Sequence, residues 1–295
     1  MPVGTHYGDT SIKEDVLQTI FQITPEDTPV YNMIGDSEAT QPLHSWQIRE
    51  LTTRGDNAQV EGHTYSFAAP VLPTRVNNFT QIIEKTARVS ATSQASSRHG
   101  IGDLVADQVE QRMVEWKTDV EHALLRGSSA SGNASDTARR MNGILNIITS
   151  NATAFASGVT FTETHFNDLL ERSWNNGANP RDCLVHGFLK RRISSYTASA
   201  TKNFDQENRK LVNTIGIYES DFSTVAVQLS RDMLNVAQTN NIVVLDRDMF
   251  AKAWLRPTTV ERVAKVASST DTVIEGELTL EFGNQAAAGT VTQLS

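Results

Sequence analysis

Apolar residues recur along this chain with two different periods, and the places where the period changes mark its parts. Near the start, Ile12, Val16, Leu17, Ile20 and Phe21 fall at helical spacing, and Pro25 and Pro29 then close the helix. Residues 1–42 read as an N-terminal arm ending in that short helix, docked either on its own domain or on a neighbouring copy. Over 43–51 (LHSWQIREL) the spacing shortens to a β-like alternation, with Trp46 and Ile48 on one face and Ser45, Gln47 and Arg49 on the other. The stretch 75–94 (RVNNFTQIIEKTARVSATSQ) is rich in Val, Ile, Thr and Phe, as strands are, though its alternation is imperfect. Between them, residues 52–74 are polar and carry Gly55, Asp56, Asn57, Gly62, Pro70 and Pro73. A tight hairpin needs only about two to five connecting residues. The pattern therefore predicts two long strands joined by an irregular tip whose length makes it disordered or functional.

Residues 103–126 carry the clearest pattern. Asp103 is placed to cap a helix, and Val105, Val109, Met113, Trp116, Val120 and Leu124 follow in steps of three and four, one apolar stripe. At ~1.5 Å per residue this helix is roughly 35 Å long. Its core residues are predicted to be Val109, Met113, Trp116 and Val120, and Gly127 sits where a left-handed terminal residue belongs. The small polar run SSASGNASDT (128–137) is the best boundary. Beyond it helices and strands alternate. Residues 143–148 read as a short strand or turn. Helices are expected over 164–175, with Phe166, Leu169, Leu170 and Trp174 on one face, and over 188–196. Strands are expected over 183–185, 222–229, 242–245 and 274–282. In the last of these Ile274, Gly276, Leu278, Leu280 and Phe282 share one face, and Glu275, Glu277, Thr279 and Glu281 share the other. The class is α+β, without internal repeats.

Composition narrows the functions. The chain has 295 residues and a formal net charge of -8, the wrong sign for a protein that grips duplex DNA tightly. No apolar run approaches the ~18 residues of a membrane span, and the polar first ten residues do not read as a secretory signal. The single cysteine, Cys183, permits no intramolecular disulfide and no multi-thiolate metal site. It lies in an apolar strand and reads as a buried inert thiol. The sequons at Asn78, Asn133 and Asn151 read as chance matches in a protein without a secretory signal.

Motifs that would announce chemistry are missing. The sequence has no Gly-rich phosphate loop ending in Lys-Ser/Thr, no G-x-G-x-x-G, no H-E-x-x-H and no G-x-S-x-G. Seven histidines occur, but no two stand at ligand spacing on one helix. Glu121 and His122 are adjacent, so they face different sides of the long helix. The basic groups Arg139-Arg140 and Lys190-Arg191-Arg192 could take phosphate, but read better as solvated faces with intersubunit salt bridges. Asp246-Arg247-Asp248 reads as a paired surface turn. No catalytic, cofactor-binding or metal-binding residue is assigned.

The order of elements, with its particular segments, resembles a known family. HSWQIREL (44–51), EGHTYS (61–66), the 75–94 stretch, DQVEQRMVEWKTDVEHALLRG (107–127), MNGIL (141–145), VLDRDMFAKAWLRP (244–257) and EGELTLEFGNQAAAGTV (275–291) are similar in order and spacing to tailed-bacteriophage major capsid proteins. The likeness covers about 40–295 and implies the Hong Kong 97-type capsid fold. It implies an N-terminal arm (1–42), an extended β-hairpin loop (43–93), a peripheral domain (94–138 and 249–295) with a spine helix over 103–126, and an axial domain (139–248). It further implies a virion protein, assembled in the bacterial host cytoplasm. Pentamers and hexamers of the chain would close an icosahedral shell around the phage genome.

Trp46, Ile48, Phe67, Phe79, Ile82 and Ile83 are then the expected intersubunit contacts. Portal, scaffolding and decoration proteins are candidate partners, packaged double-stranded DNA touches the shell through weak contacts, and no membrane is involved. No room is left before the loop for the long scaffolding region of some relatives, and nothing marks Lys85 for the crosslinking chemistry of others. Two other readings remain open: an encapsulin-like compartment of the same fold, and a soluble enzyme whose site is assembled in space.

Overall fold

The computed structural model describes residues 27–52, 54–96, 101–133, 136–155, 159–196, 204–205, 210–211, 216–233, 240–265 and 267–294. The helix expected around Ile12 to Phe21 lies outside them. In chain order the elements are α1 (Pro29–Met33), β1 (Gly35–Glu38), β2 (Leu43–Ile48), β3 (Thr74–Phe79), β4 (Gln81–Ser90), α2 (Ala91–Ala95), α3 (Leu104–Arg126), α4 (Ile144–Ile147), β5 (Ala152–Ala154), α5 (Glu163–Asn175), β6 (Asp182–Val185), α6 (Gly187–Tyr196), β7 (Phe204–Asp205), β8 (Lys210–Leu211), β9 (Ile217–Glu219), β10 (Thr224–Leu229), β11 (Asn240–Leu245), β12 (Phe250–Arg262), β13 (Ser269–Phe282) and β14 (Gly289–Leu294). The architecture is α+β.

The chain divides into two compact units, and α3, β4, β12 and β13 each run from one into the other. The first takes the described residues of 84–116 and 259–274. Here Asp103 caps α3, its Oδ1 accepting the Val105 N–H at 2.9 Å. Arg88 on β4 grips Asp271 on β13 through two bonds of 2.9 and 2.8 Å. Along the α3 stripe Val105 and Trp116 are buried, while Val109 and Met113 are half-buried.

The second unit takes the described residues of 27–83, 117–258 and 275–295. Its largest sheet has the order β5-β14-β11-β6-β10-β9. β6 and β10 are parallel, bridged through α6, whereas β11 runs antiparallel to both β6 and β14. Ile242, Val243, Val244 and Leu245 of β11 are all fully buried, as a strand covered on both faces requires. Leu169 and Leu170 of α5 and Leu189 and Ile193 of α6 close over the sheet and join Val185, Val227 and Val291 in one core. α5 shows a capping box, with Thr162 accepting the His165 N–H, and ends at Gly177, whose φ of +81° only glycine adopts freely.

Several expectations change. Pro29 opens a helix of its own, α1, where its missing N–H costs nothing; the end of the helix expected before it lies outside the described residues. Gly127 is absent from the positive-φ glycines. It is small because a Cβ there would lie 2.5 Å from the Ala123 carbonyl and 2.6 Å from that of Met141. The hairpin ends at Phe79, because β4 lies in the sheet of order β1-β12-β13-β4 and not in the β2–β3 pair. β1 joins that same sheet, inside the stretch read as arm. The C-terminal strand β14 pairs with β11 and β5, so residues 289–294 belong to the six-stranded sheet and not to a sheet with β13. Residues 144–147 form a helical turn, and Trp174 is exposed beside Phe222.

Candidate assembly site: an exposed hairpin and its buried anchor

β2 and β3 pair antiparallel from Leu43↔Phe79 to Ile48↔Thr74. Beyond that ladder the chain leaves the body of the unit altogether. Apart from Pro73, which is half-buried, every described residue from 49 to 75 is exposed, including Leu51, Val60, Tyr65, Phe67, Val71 and Leu72, whose exposure runs from 58% to 93%. Scattered exposed apolar residues are ordinary, but six along one polar, Pro- and Gly-bearing stretch are not. A two-stranded ribbon is marginal in water, so something at its base must hold it.

That base is polar and buried. The Asn78 side chain, 2% exposed, donates from Nδ2 to the carbonyls of Leu280 (2.9 Å) and Asn142 (3.1 Å). Its Oδ1 accepts the N–H groups of Asn142 (2.8 Å) and Phe79 (2.9 Å). Two residues on, the Thr80 hydroxyl donates to Glu277 Oε1 at 2.6 Å. Glu277 also receives Arg139, and Arg256 through Nε at 3.1 Å, while Arg139 Nε reaches the Thr80 carbonyl at 2.7 Å. Burial alone would push Glu277 up, but the Thr80 hydroxyl and the Arg256 and Arg139 guanidiniums outweigh it and hold the carboxyl below its usual range. On the other strand, Trp46 Nε1 donates to the Phe282 carbonyl at 2.7 Å and its ring meets Phe282 edge-on at 5.2 Å. His44 lies beside Trp46 and 3.4 Å from Glu281.

The residues expected to contact a neighbour therefore separate. Phe67 is bare at the tip, and Ile82 is half exposed. Ile48 and Phe79 are half-buried at the base, and Trp46 is partly spent on Phe282. Ile83 is 6% exposed and has almost no surface to offer another chain. The sequence reading missed the remaining tip residues because they follow no period. It also missed the anchor. Glu277 and Thr279 were placed on a polar face, yet both are buried, because the strand's middle is covered on both sides. Arg139 was read as solvated, whereas its charge is answered inside the chain.

Several of the other basic and acidic groups find partners within the chain, while Arg140 and Arg191 are exposed. Lys190 donates to the Val227 carbonyl at 2.6 Å, Arg247 pairs with buried Asp182 at 2.7 Å, and Arg181 meets Asp248 at 3.0 Å. Cys183 is fully buried, and desolvation raises its thiol far above the ordinary range. Among the described residues no group of His, Cys, Asp and Glu is placed to hold a metal ion, and no helix is long and apolar enough to cross a membrane.

A family model described as the SU10 major capsid protein matches residues 3–295. The chain belongs to the SU10 major capsid protein family. Over 125 residues this SU10-family chain is 34% identical to the major capsid protein of Escherichia phage Phieco32, a match covering 42% of this chain and 35% of that protein. The matched stretch is thus about a third of that relative's length. Among solved structures, the capsid of an empty GTA particle is similar with a TM-score of 0.65 at 13% identity, over 99% of this chain and 98% of that one. The SrpI encapsulin of Synechococcus elongatus PCC 7942 is similar with a TM-score of 0.61 at 12% identity, over 97% and 93%. At those identities the likeness is one of fold, and that fold is the Hong Kong 97-type expected from the sequence.

Proposed function

We propose that this SU10-family chain is the shell subunit of a phage head, assembling through pentamers and hexamers into an icosahedral capsid around double-stranded DNA. The observation that carries the reading is the pairing of a rigid base with a bare tip. A chain that buries Asn78, Thr80 and Glu277 to orient a hairpin, and then leaves six large apolar groups of that hairpin in water, supports a partner for the tip. In a closed symmetric shell the partner is the next copy of the same chain. Burying those six side chains would contribute on the order of 10 kcal/mol per subunit before association costs, and repetition around each ring makes the shell hard to open. Phe67, Leu51, Val60, Tyr65, Val71 and Leu72 from the tip and Ile82 from β4 are the contact residues of this proposal, and Ile83, 6% exposed, has little surface to add. No step of it calls on catalysis or a cofactor.

Deleting residues 56–70 is the direct test. The variant should be soluble and folded by circular dichroism yet fail to form stable shells in negative-stain images, where the intact chain forms capsid-sized particles. Normal shells from the deletion variant would overturn the role of the tip. Small shells filled with a cargo enzyme from the intact chain would replace a phage head by an encapsulin-like compartment, and discrete small oligomers would remove the shell altogether.

A further inference from the structure

Residues 27–39 form a strap across the second unit, fastened by contacts in which the hairpin has no part. At its centre stands Glu121 of α3, with no exposed surface. Its two carboxylate oxygens accept the backbone N–H groups of Val30 at 3.0 Å and Tyr31 at 2.7 Å. Thr28, the local residue that would ordinarily take such N–H groups, makes no capping bond. Two ammonium groups lie over the Tyr31 ring, Lys252 at 4.2 Å and Lys117 at 5.0 Å from its centre. Lys252 also donates to the Tyr31 carbonyl at 2.7 Å, and Lys117 to Asn32 Oδ1 at 2.9 Å. One end is tied by Arg231 to Asp27 at 2.9 Å, and the other by the pairing of β1 with β12 and by Lys252 and the Trp254 indole on Asp36 at 3.3 and 2.8 Å.

A carboxyl group covered by a strap is in a different solvent from one that the strap has left. Closed, Glu121 is dry, and burial pushes it up to about 7, although the Tyr31 and Val30 N–H groups pull the other way. The charge of Asp232 adds to the rise and Lys117 opposes it. The groups around Asp232 complete the electrostatic setting: Arg126 Nε donates to its backbone carbonyl, and His122 Nδ1 lies 3.4 Å from its carboxylate. Lifted off, Glu121 is hydrated and returns to the ordinary carboxylate range.

We propose that residues 27–34 are a proton-controlled latch, closed on Glu121 when that carboxyl is protonated and loosened when it ionises. The latch governs how firmly the chain is fastened where it leads back to residues 1–26. The direction follows from linkage. The closed state binds the Glu121 proton more tightly than the open state, so closure is favoured at low pH. It weakens as pH rises from the ordinary carboxylate range through the raised value, and levels off above it. With an ordinary value of 4.5 and a closed value of about 7, the opening constant rises on the order of fifty-fold between pH 5 and pH 8.

Hydrogen exchange on the full-length free subunit tests this. Protection factors of the Val30 and Tyr31 amides, each corrected for intrinsic exchange, should fall some tens-fold from pH 5 to pH 8, while the Val243 amide in β11 holds steady. Glu121→Gln should flatten that dependence, and His122→Gln should leave it intact. Should the Glu121→Gln chain fail to fold, Asp232→Asn carries the test, since losing that charge should move the midpoint to lower pH. The latch is overturned by protection that ignores pH, by a transition that survives Glu121→Gln or vanishes with His122→Gln, or by an unmoved midpoint in Asp232→Asn.

Discussion

Asn78→Ala should loosen the hairpin from its anchor at a cost that can be worked out from four bonds. The side chain is buried and uses all its near-planar amide: two donations, to Leu280 and Asn142, and two acceptances, from Asn142 and Phe79. Each such bond contributes ~0.5–1.5 kcal/mol net, and each buried group left without a partner costs ~1–3 kcal/mol. These terms overlap, and some backbone groups will find water through the space the amide vacates, so the expected loss is about 3–5 kcal/mol. For a chain of this size that corresponds to a fall in Tm of roughly 10 °C. Scanning calorimetry on dilute, unassembled subunit reads the loss without a contribution from association. Gln59→Ala in the exposed tip serves as the control and should stay within ~0.5 kcal/mol of the parent. Shell yield should fall with Asn78→Ala even at temperatures where the subunit stays folded, because the base then no longer fixes the direction of the tip. A Tm within about 2 °C of the parent, with unchanged shell yield, would refute the anchor.

Three further outcomes are expected. Trp116→Ala removes a side chain that is 2% exposed. It should cost ~3–5 kcal/mol and give insoluble or unassembled protein; normal assembly with unchanged melting would show that the helix stripe is not core. Glu277 is held below its usual range, so its contribution is present above the ordinary carboxylate value of 4.5 and is lost as pH falls through its depressed value. Glu277→Gln should therefore flatten the fall of Tm between pH 5 and pH 3, and parallel profiles for parent and variant would count against it. With a net charge of -8, the purified chain should pass through a heparin or DNA column at physiological salt, and retention with a steep salt slope would contradict the weak-contact reading.

Local pattern made the regular elements legible. The stripe from Val105 to Leu124 and the alternation at Trp46 and Ile48 follow the repeat of a helix and of a strand, which sets the spacing of inward-facing side chains whatever they pack on, so spacing alone reports them. Long-range partnership was opaque. Nothing near Glu277 in sequence says that Arg139 and Thr80, over a hundred residues away, will neutralise and hydrogen-bond it. An alternating Glu-Leu-Thr-Leu run therefore looked half-solvated when it is covered on both faces. Gly127 does follow the end of α3 at Arg126, but without the left-handed conformation its position suggests, and the Met141 carbonyl that requires its missing Cβ is invisible from sequence. The exposed tip failed for the opposite reason. Its apolar residues are left largely in water, so they follow no period.

An apolar base would have been easier to build than this anchor, and the choice of polar groups bears on how the hairpin works. Apolar packing is non-directional and tolerates sliding. Hydrogen bonds to Asn78 and Thr80 do not: displacing β3 by even an ångström or two would break bonds of 2.6–3.1 Å and leave the Glu277 charge buried without its partners. The groups that fix it come from the 139–142 segment, β12 and β13 as well as β3, so the direction of the hairpin is set by the folded unit as a whole and not by the ribbon itself. The tip then needs no structure of its own before assembly. A neighbour supplies its burial, while the base supplies its aim, and a change at the base that spares folding should still disturb the shell.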